Sequence, residues 1–194
     1  MRIIEKTRET KETKIELTLN LDGSGKYNII TGIKFFDHML EQLACHSGFD
    51  LDIKAASLDT DSHHLVEDVA LTLGDAIRSA LGDKKGINRY ATVILPMDEA
   101  LCLAAIDLSG RAFCKTDVDL KDERTSDFET VLLAHFFGSI AQSSLMTLHL
   151  KKLEGTDTHH IIEAAFKAFA RALGQACSVN KDKANEIPST KGLL

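Results

Sequence analysis

Residues 63–67 read His63-His64-Leu65-Val66-Glu67, and residues 159–163 read His159-His160-Ile161-Ile162-Glu163. Each stretch follows an acidic, hydroxyl-rich segment (Asp59-Thr60-Asp61-Ser62; Thr156-Asp157-Thr158) and opens a run with apolar residues at helical spacing. On a helix, residues i and i+4 stack on one face, whereas i+1 points about 100° away. His63 and Glu67 therefore share a face, as do His159 and Glu163, and His64 and His160 face elsewhere. Imidazole plus carboxylate is the ligand chemistry of zinc, manganese and iron sites. One such stretch suggests half a metal site. Two suggest two metals, each helix giving a pair to one ion and a single His to the other.

The duplication runs outward from these stretches. His38 precedes His63 by 25 residues, and His135 precedes His159 by 24. Between them both copies run apolar helix, alternating strand, polar loop. Phe49, Leu51 and Ile53 match Met146, Leu148 and Leu150; downstream, Val66, Ala70, Leu73 and Ile77 match Ile162, Phe166, Phe169 and Leu173. Such self-similarity marks an internal repeat of about half the chain. Adding His38 and His135 gives six His and two Glu, or three His and one Glu per metal when divided evenly.

The alternation of Ile15, Leu17, Leu19 and Leu21 predicts a strand, with Asp22–Gly25 turning it and Tyr27–Ile30 returning. Helical spacing over 34–46, a strand over 49–55 and a helix to about Leu81 complete a first half-repeat, 1–90. Strands at 91–95, 100–108 and 113–118, a helix around 128–144, a strand near 146–151, a helix over 159–173 and an irregular polar tail from Asn180 make a second, 91–194. The charge-rich stretch 117–127 reads as a solvated loop. Strands then helix, strand, helix in each half predict an α+β fold: two similar halves, each a sheet covered on one face by helices, related by a pseudo-dyad.

At 194 residues the chain suffices for one compact unit with a sizeable core. The net charge of −6, without a Lys/Arg run, argues against nucleic acid and anionic membrane as partners. No apolar run reaches membrane-span length, and the N-terminus lacks the apolar stretch of a signal peptide. Cys45, Cys102, Cys114 and Cys177 show no ligand or CxxC spacing and read as buried small hydrophobes of a reducing cytoplasm. Arg89, Arg111 and the closing Ser189-Thr190-Lys191 are groups of the kind that grip phosphate, though each taken singly reads more readily as a solvated surface charge. Lys167, four residues past Glu163, either reaches an anion near the metal or screens Glu163.

Phe36-Asp37-His38-Met39-Leu40, His63–Asp68, Leu108-Ser109-Gly110-Arg111, His135-Phe136-Phe137, His159–Lys167 and Ile187-Pro188-Ser189-Thr190-Lys191-Gly192 together resemble the imidazoleglycerol-phosphate dehydratase family. The resemblance spans essentially the whole chain. It implies dehydration of D-erythro-imidazole-glycerol phosphate to imidazole-acetol phosphate in histidine biosynthesis, with two Mn²⁺ per active site. It also implies a cytoplasmic homo-oligomer of 24 subunits built from trimers, with active sites between subunits. No DxDxT motif and no room for a fused phosphatase domain are present, so a monofunctional enzyme is expected. Carried over residue by residue, one metal takes His38, His64, His159 and Glu163; the other takes His63, Glu67, His135 and His160. Substrate contacts are implied for Glu12, His38, His46, His63, Glu67, Arg89, Arg111, His159, Lys167, Ser189 and Lys191. Where the family tail often has two serines, this chain has Ser189-Thr190, which keeps a hydroxyl.

The chemistry expected of these parts is unusual because no carbonyl acidifies the C2 proton of the substrate. Coordination of both imidazole nitrogens would bind the ring as an imidazolate, which expels the C3 hydroxyl to give a diazafulvene; the C2 proton is then acidic and its loss gives the enol of the ketone. Glu12 is the expected acid/base, with metal-bound water as the alternative. Two rivals stand beside this reading. A dinuclear phosphoesterase would lean on Asp carboxylates, and a non-catalytic metal cage would give Arg89, Arg111 and Lys191 no reason to converge.

Overall fold

The computed structural model describes residues 1–194. The first half comprises β1 (Ile3–Glu9), β2 (Thr13–Asn20), β3 (Tyr27–Ile30), α1 (Lys34–Ser47), β4 (Asp50–Ser57) and α2 (Ser62–Leu81). The second comprises β5 (Tyr90–Met97), β6 (Ala100–Asp107), β7 (Phe113–Asp117), a two-residue ladder of β8 (Arg124–Thr125) and β9 (Phe128–Glu129), α3 (Leu132–Ser144), β10 (Thr147–Glu154) and α4 (Thr158–Cys177). The sheets have the same order, β1-β2-β4-β3 and β5-β6-β10-β7. In each, one parallel pair (β3 with β4, β7 with β10) lies at the end of an otherwise antiparallel ladder. The duplication expected from the two HHxxE stretches is thus present strand for strand.

Alternation of apolar residues gives each sheet one buried face. In β2 the buried set is Thr13, Ile15, Leu17 and Leu19, and in β6 it is Ala100, Cys102, Ala104 and Ile106. Those faces are covered by helices, α1 and α2 over the first sheet and α3 and α4 over the second, and the helices of the two halves pack against each other as the pairs α1/α4 and α2/α3. One cluster of 50 buried apolar residues runs through both halves. The aromatic centre of that cluster, with Phe136 and Phe137 of α3 edge-on to each other and both against Phe166 of α4, belongs to the second half. Gly74 permits close packing of α2 on α3, because a Cβ there would lie 2.6 Å from the Ile140 carbonyl oxygen.

Four expectations need correction. β1 is an unpredicted strand; its edge position leaves the alternation only partly buried and therefore faint in the sequence. β3 does not return against β2 but pairs in parallel with β4, so Asp22–Gly25 is not a hairpin turn. The helix expected from residue 128 begins at Leu132, because Phe128–Glu129 pairs with Arg124–Thr125. The 117–127 stretch is not merely solvated. Asp127 accepts from the Lys34 and Phe35 amides at the start of α1 (2.8 and 3.0 Å), and Asp122 accepts from the Thr158 hydroxyl. Orphan amides of a helix N-terminus need acceptors, and a carboxylate remote in sequence serves here.

Of the cysteines, Cys102 and Cys177 are buried as expected, burial pushing their thiols up to about 11 and about 12, whereas Cys45 is exposed and Cys114 half-buried. No helix is long and apolar enough to cross a membrane.

Candidate metal centre and anion cluster

The acidic residues ahead of each HHxxE stretch are helix caps. Asp61 accepts from the His63 amide, and Asp157 accepts from the His159 and His160 amides. The caps fix where α2 and α4 begin, and so place the His/Glu pairs within their first two turns. His38 and His135 are the fifth and fourth residues of α1 and α3. Because α1 packs on α4 and α2 on α3, each His meets the pair from the other half.

Two triads result. In the first, His38 Nε2 and His159 Nε2 lie 3.6 and 3.3 Å from Glu163 Oε2, and one ligand atom from each residue falls within 4.8 Å of the others. In the second, His63 Nε2 lies 3.9 Å from Glu67 Oε2, and the His63 and His135 rings are 4.3 Å apart between centroids. An ion at about 2.1 Å from each of several N and O ligands holds them about 3–4 Å apart. Donor type and spacing in the first triad fit a divalent transition metal, and the second offers the same donor types.

Glu163 is 6% exposed, unlike the other ligands. Burial alone raises its carboxyl, but Lys167, with Nζ 2.6 Å from Oε1, together with His38 and His159, outweighs burial and holds it below the ordinary range. Of the two readings of Lys167, the chain by itself shows the screening one. His46 lies farther along α1, bonded to Gln42; burial and the charges of Lys167 and Arg171 push its imidazole below the ordinary value.

The remaining two His turn away from both triads. His64 Nδ1 is 2.7 Å from Asp59 Oδ2 and 3.8 Å from Glu12 Oε2; His160 Nδ1 is 2.7 Å from Glu99 Oε2. These carboxylates raise both imidazoles above the ordinary value, the direct hydrogen bond being the largest cause. Glu99 is held down to about 2, first by the Asp157 amide, then by His160 and the Thr156 amide. Neither His64 nor His160 joins the ligand set assigned to it within its own chain.

The cationic residues gather elsewhere. Arg89 makes two bonds to Asp107 (2.7 and 3.2 Å) and donates to the Pro188 carbonyl (2.8 Å), which draws the tail against the sheet beside Ser189. Its amide bonds to the carbonyl of Ala176, at the far end of α4 from His159. Arg111 donates to the Ser109 carbonyl, and the Lys191 amide to the Ser189 hydroxyl. Along α4 the separation from the first triad is roughly 26 Å, at about 1.5 Å per residue.

Sequence reading missed three residues here. Asp59 and Glu99 were invisible as partners because nothing in the local sequence pairs Glu99 with a His 61 positions on; the one signal was that Glu99 precedes β6 as Glu12 precedes β2. Lys84, 8% exposed, donates to the Leu108 carbonyl beside Arg89 and was hidden in a polar Asp-Lys-Lys-Gly turn.

A doubled α+β sandwich carrying two His/carboxylate triads at matching helix starts defines a duplicated fold equipped for divalent metals. Comparison narrows this. The family model for imidazoleglycerol-phosphate dehydratase matches residues 31–173. The chain is 53% identical over 194 residues to the imidazoleglycerol-phosphate dehydratase of Acetivibrio thermocellus (100% of this chain, 99% of that one) and 49% identical over 198 residues to that of Metallosphaera sedula (100% and 99%). Solved structures of the enzymes from Staphylococcus aureus and Pyrococcus furiosus superpose with TM-scores of 0.84 and 0.84 at 35% and 36% identity, covering 92% and 97% of this chain and 99% and 100% of those. The chain belongs to the imidazoleglycerol-phosphate dehydratase family, and with it to the carbon–oxygen hydro-lyases of histidine biosynthesis.

Proposed function

We propose that this chain dehydrates D-erythro-imidazole-glycerol phosphate to imidazole-acetol phosphate with two Mn²⁺ per active site, in the cytoplasm, as a 24-subunit homo-oligomer built from trimers. One observation carries the reading: each chain holds two incomplete His/His/Glu triads and two further His turned outward. Four ligands per ion follow if His64 and His160 of one chain complete triads of another. The first set is then His38, His159 and Glu163 with a neighbour's His64, and the second is His63, Glu67 and His135 with a neighbour's His160.

When bound, such ions supply Lewis acidity that lowers the pKa of a coordinated imidazole N–H. The protein groups do the rest. Both triads orient the imidazole end of the substrate. Glu12, half-exposed and near His64, moves the proton at C2. Arg89, Arg111, Ser189 and Lys191 hold the phosphate and so fix the reacting carbons. Lys167 keeps Glu163 ionised.

The separation of the cations from the triads supports assembly, because the substrate is far shorter than roughly 26 Å along α4. A phosphate grip must then come from another chain than the triad it serves. The outer face of the second sheet supports the same view. There Tyr90, Ile94 and Phe113 are each more than half exposed, with Leu101 and Leu103 between, whereas the first sheet's outer face carries Glu5, Glu16, Asp52 and Lys54. An apolar patch of this kind marks a contact surface. The test is direct: incubate with imidazole-glycerol phosphate and Mn²⁺, and read the enol of the product by its ultraviolet absorbance in alkali. Release of inorganic phosphate instead would overturn the reading.

A further inference from the structure

We infer that Asp59 and Glu99 are positioning residues for the two outward His, each fixing one imidazole so that its Nε2 is presented to a metal in another chain. The inference rests on the proposed ligand sets. Its basis is a juxtaposition that occurs twice by different means. His64 Nδ1 meets the Asp59 carboxylate and His160 Nδ1 meets the Glu99 carboxylate, both at 2.7 Å. A carboxylate accepting from Nδ1–H fixes the tautomer in which Nε2 carries the lone pair, and fixes the ring plane. His160 Nε2 keeps only a loose neighbour, Asp98 Oδ2 at 3.6 Å.

The two carboxylates come from different elements, although the halves repeat. Asp59 lies in the loop before α2. The matching place before α4 is Gly155, at φ +129°, where a Cβ would come within 3.0 Å of Ala100 and 2.9 Å of Ile161. The second loop therefore sits too close to the β5–β6 turn to carry a side chain. The turn provides the carboxylate instead, and Glu99 also accepts from the Thr156 and Asp157 amides (3.2 and 2.8 Å). In the first half, Asp59 takes the His, and the turn residue matching Glu99 is Glu12. Glu12 is left 3.8 Å from His64 without that bond. One half thus uses its turn carboxylate to hold a ligand, and the other keeps it free for substrate.

The test is Mn²⁺ binding by the assembled full-length protein, read by electron paramagnetic resonance, with each ion located by anomalous scattering. Glu99→Ala should weaken Mn²⁺ about 10–100-fold at the His63/Glu67/His135 site alone, and Asp59→Ala by a similar factor at the His38/His159/Glu163 site alone. Glu99→Gln and Asp59→Asn, which keep an acceptor oxygen, should recover part of that affinity. A merely structural role would weaken both sites together, and that result overturns the inference. Unchanged affinity in both alanine variants, while His160→Ala empties its site, overturns it and leaves the ligand sets standing. If His160→Ala retains both ions at full affinity, the ligand sets and the inference fall together.

Discussion

Two inactive variants should restore each other if the metal triad and the phosphate grip that serve one substrate belong to different chains. His159→Ala removes a ligand from the first triad. Arg111→Ala removes a cation at the opposite end of α4, beside the Ala176–Arg89 contact. By the helix rise the two positions are roughly 26 Å apart, and the eight residue steps from Glu99 to Asp107 through the turn and strand β6 span a similar length at about 3.4 Å each. Neither an Arg side chain nor the substrate bridges that distance within one chain. Each homogeneous variant should then be near background. If the two are dissociated, mixed in equal amounts and reassembled with Mn²⁺, a site is whole when its triad comes from an Arg111→Ala chain and its grip from a His159→Ala chain. Random mixing makes that about one site in four, so turnover should recover to about a quarter of the unsubstituted enzyme. The assay is the enol absorbance, with differently tagged chains and co-purification to verify mixing. Background activity in verified mixed particles would refute the composite site and require both groups to act from one chain.

Chelation should abolish turnover and break the particle into smaller stable units, trimers in the proposed architecture, with Mn²⁺ at neutral pH rebuilding it; analytical ultracentrifugation would show this, and unchanged mass after verified metal removal would confine the metals to chemistry. Glu12→Gln should bind substrate and both metals nearly normally while turnover falls by about 10²–10⁴-fold, and unimpaired turnover would exclude Glu12 from proton transfer. Asp127→Ala should cost about 1–2 kcal/mol by uncapping α1, measured by denaturant unfolding. The same contribution should titrate. Burial raises the Asp127 carboxyl, but the Phe35 and Lys34 amides outweigh it and leave it below 3.8. Its stabilisation is therefore complete above that value and lost as the pH falls through the folded pKa, so the unsubstituted protein and Asp127→Ala should converge in stability in strong acid.

The features legible in the sequence were those carried by local period and by repetition. The HHxxE pairs and the apolar alternation of β2, β4 and β10 each reside within a stretch of eight or so residues, where side-chain direction follows from backbone period alone. The repeat then implied two halves, which the matching sheet orders bear out. What stayed hidden depended on pairings between distant segments. β3 lies beside β4 rather than β2, Asp127 caps a helix some ninety residues earlier, and Glu99 reaches a His 61 positions on. None of these leaves a trace in local hydropathy. Arg89 shows the limit from the other side. Its type suggested phosphate, yet its fork is engaged by Asp107 and the Pro188 carbonyl, so it positions the tail with its Ser189 hydroxyl and Lys191 ammonium as much as it offers charge.

The duplicated halves also explain why a single chain should be insufficient. A pseudo-dyad relates α1 and α2 to α3 and α4, and a triad forms wherever a His near the start of a helix in one half meets the i, i+4 pair of the other. The i+1 His cannot join, since about 100° of helix rotation points it out of the bundle toward the flanking sheet. In the proposed ligand sets this leaves each triad one His short and each chain with two His for its neighbours. Closing both sets inside one chain would require the His64 and His160 rings to cross the helices that bear them. Supplying them from a neighbour requires only that two helix starts meet, and symmetry lets every chain give as it receives. In the proposed assembly, metal binding would then reward association directly. Replacing either outward His by Ala should therefore lower particle stability as well as metal content, by the free energy of one ligand per chain at every repeated contact.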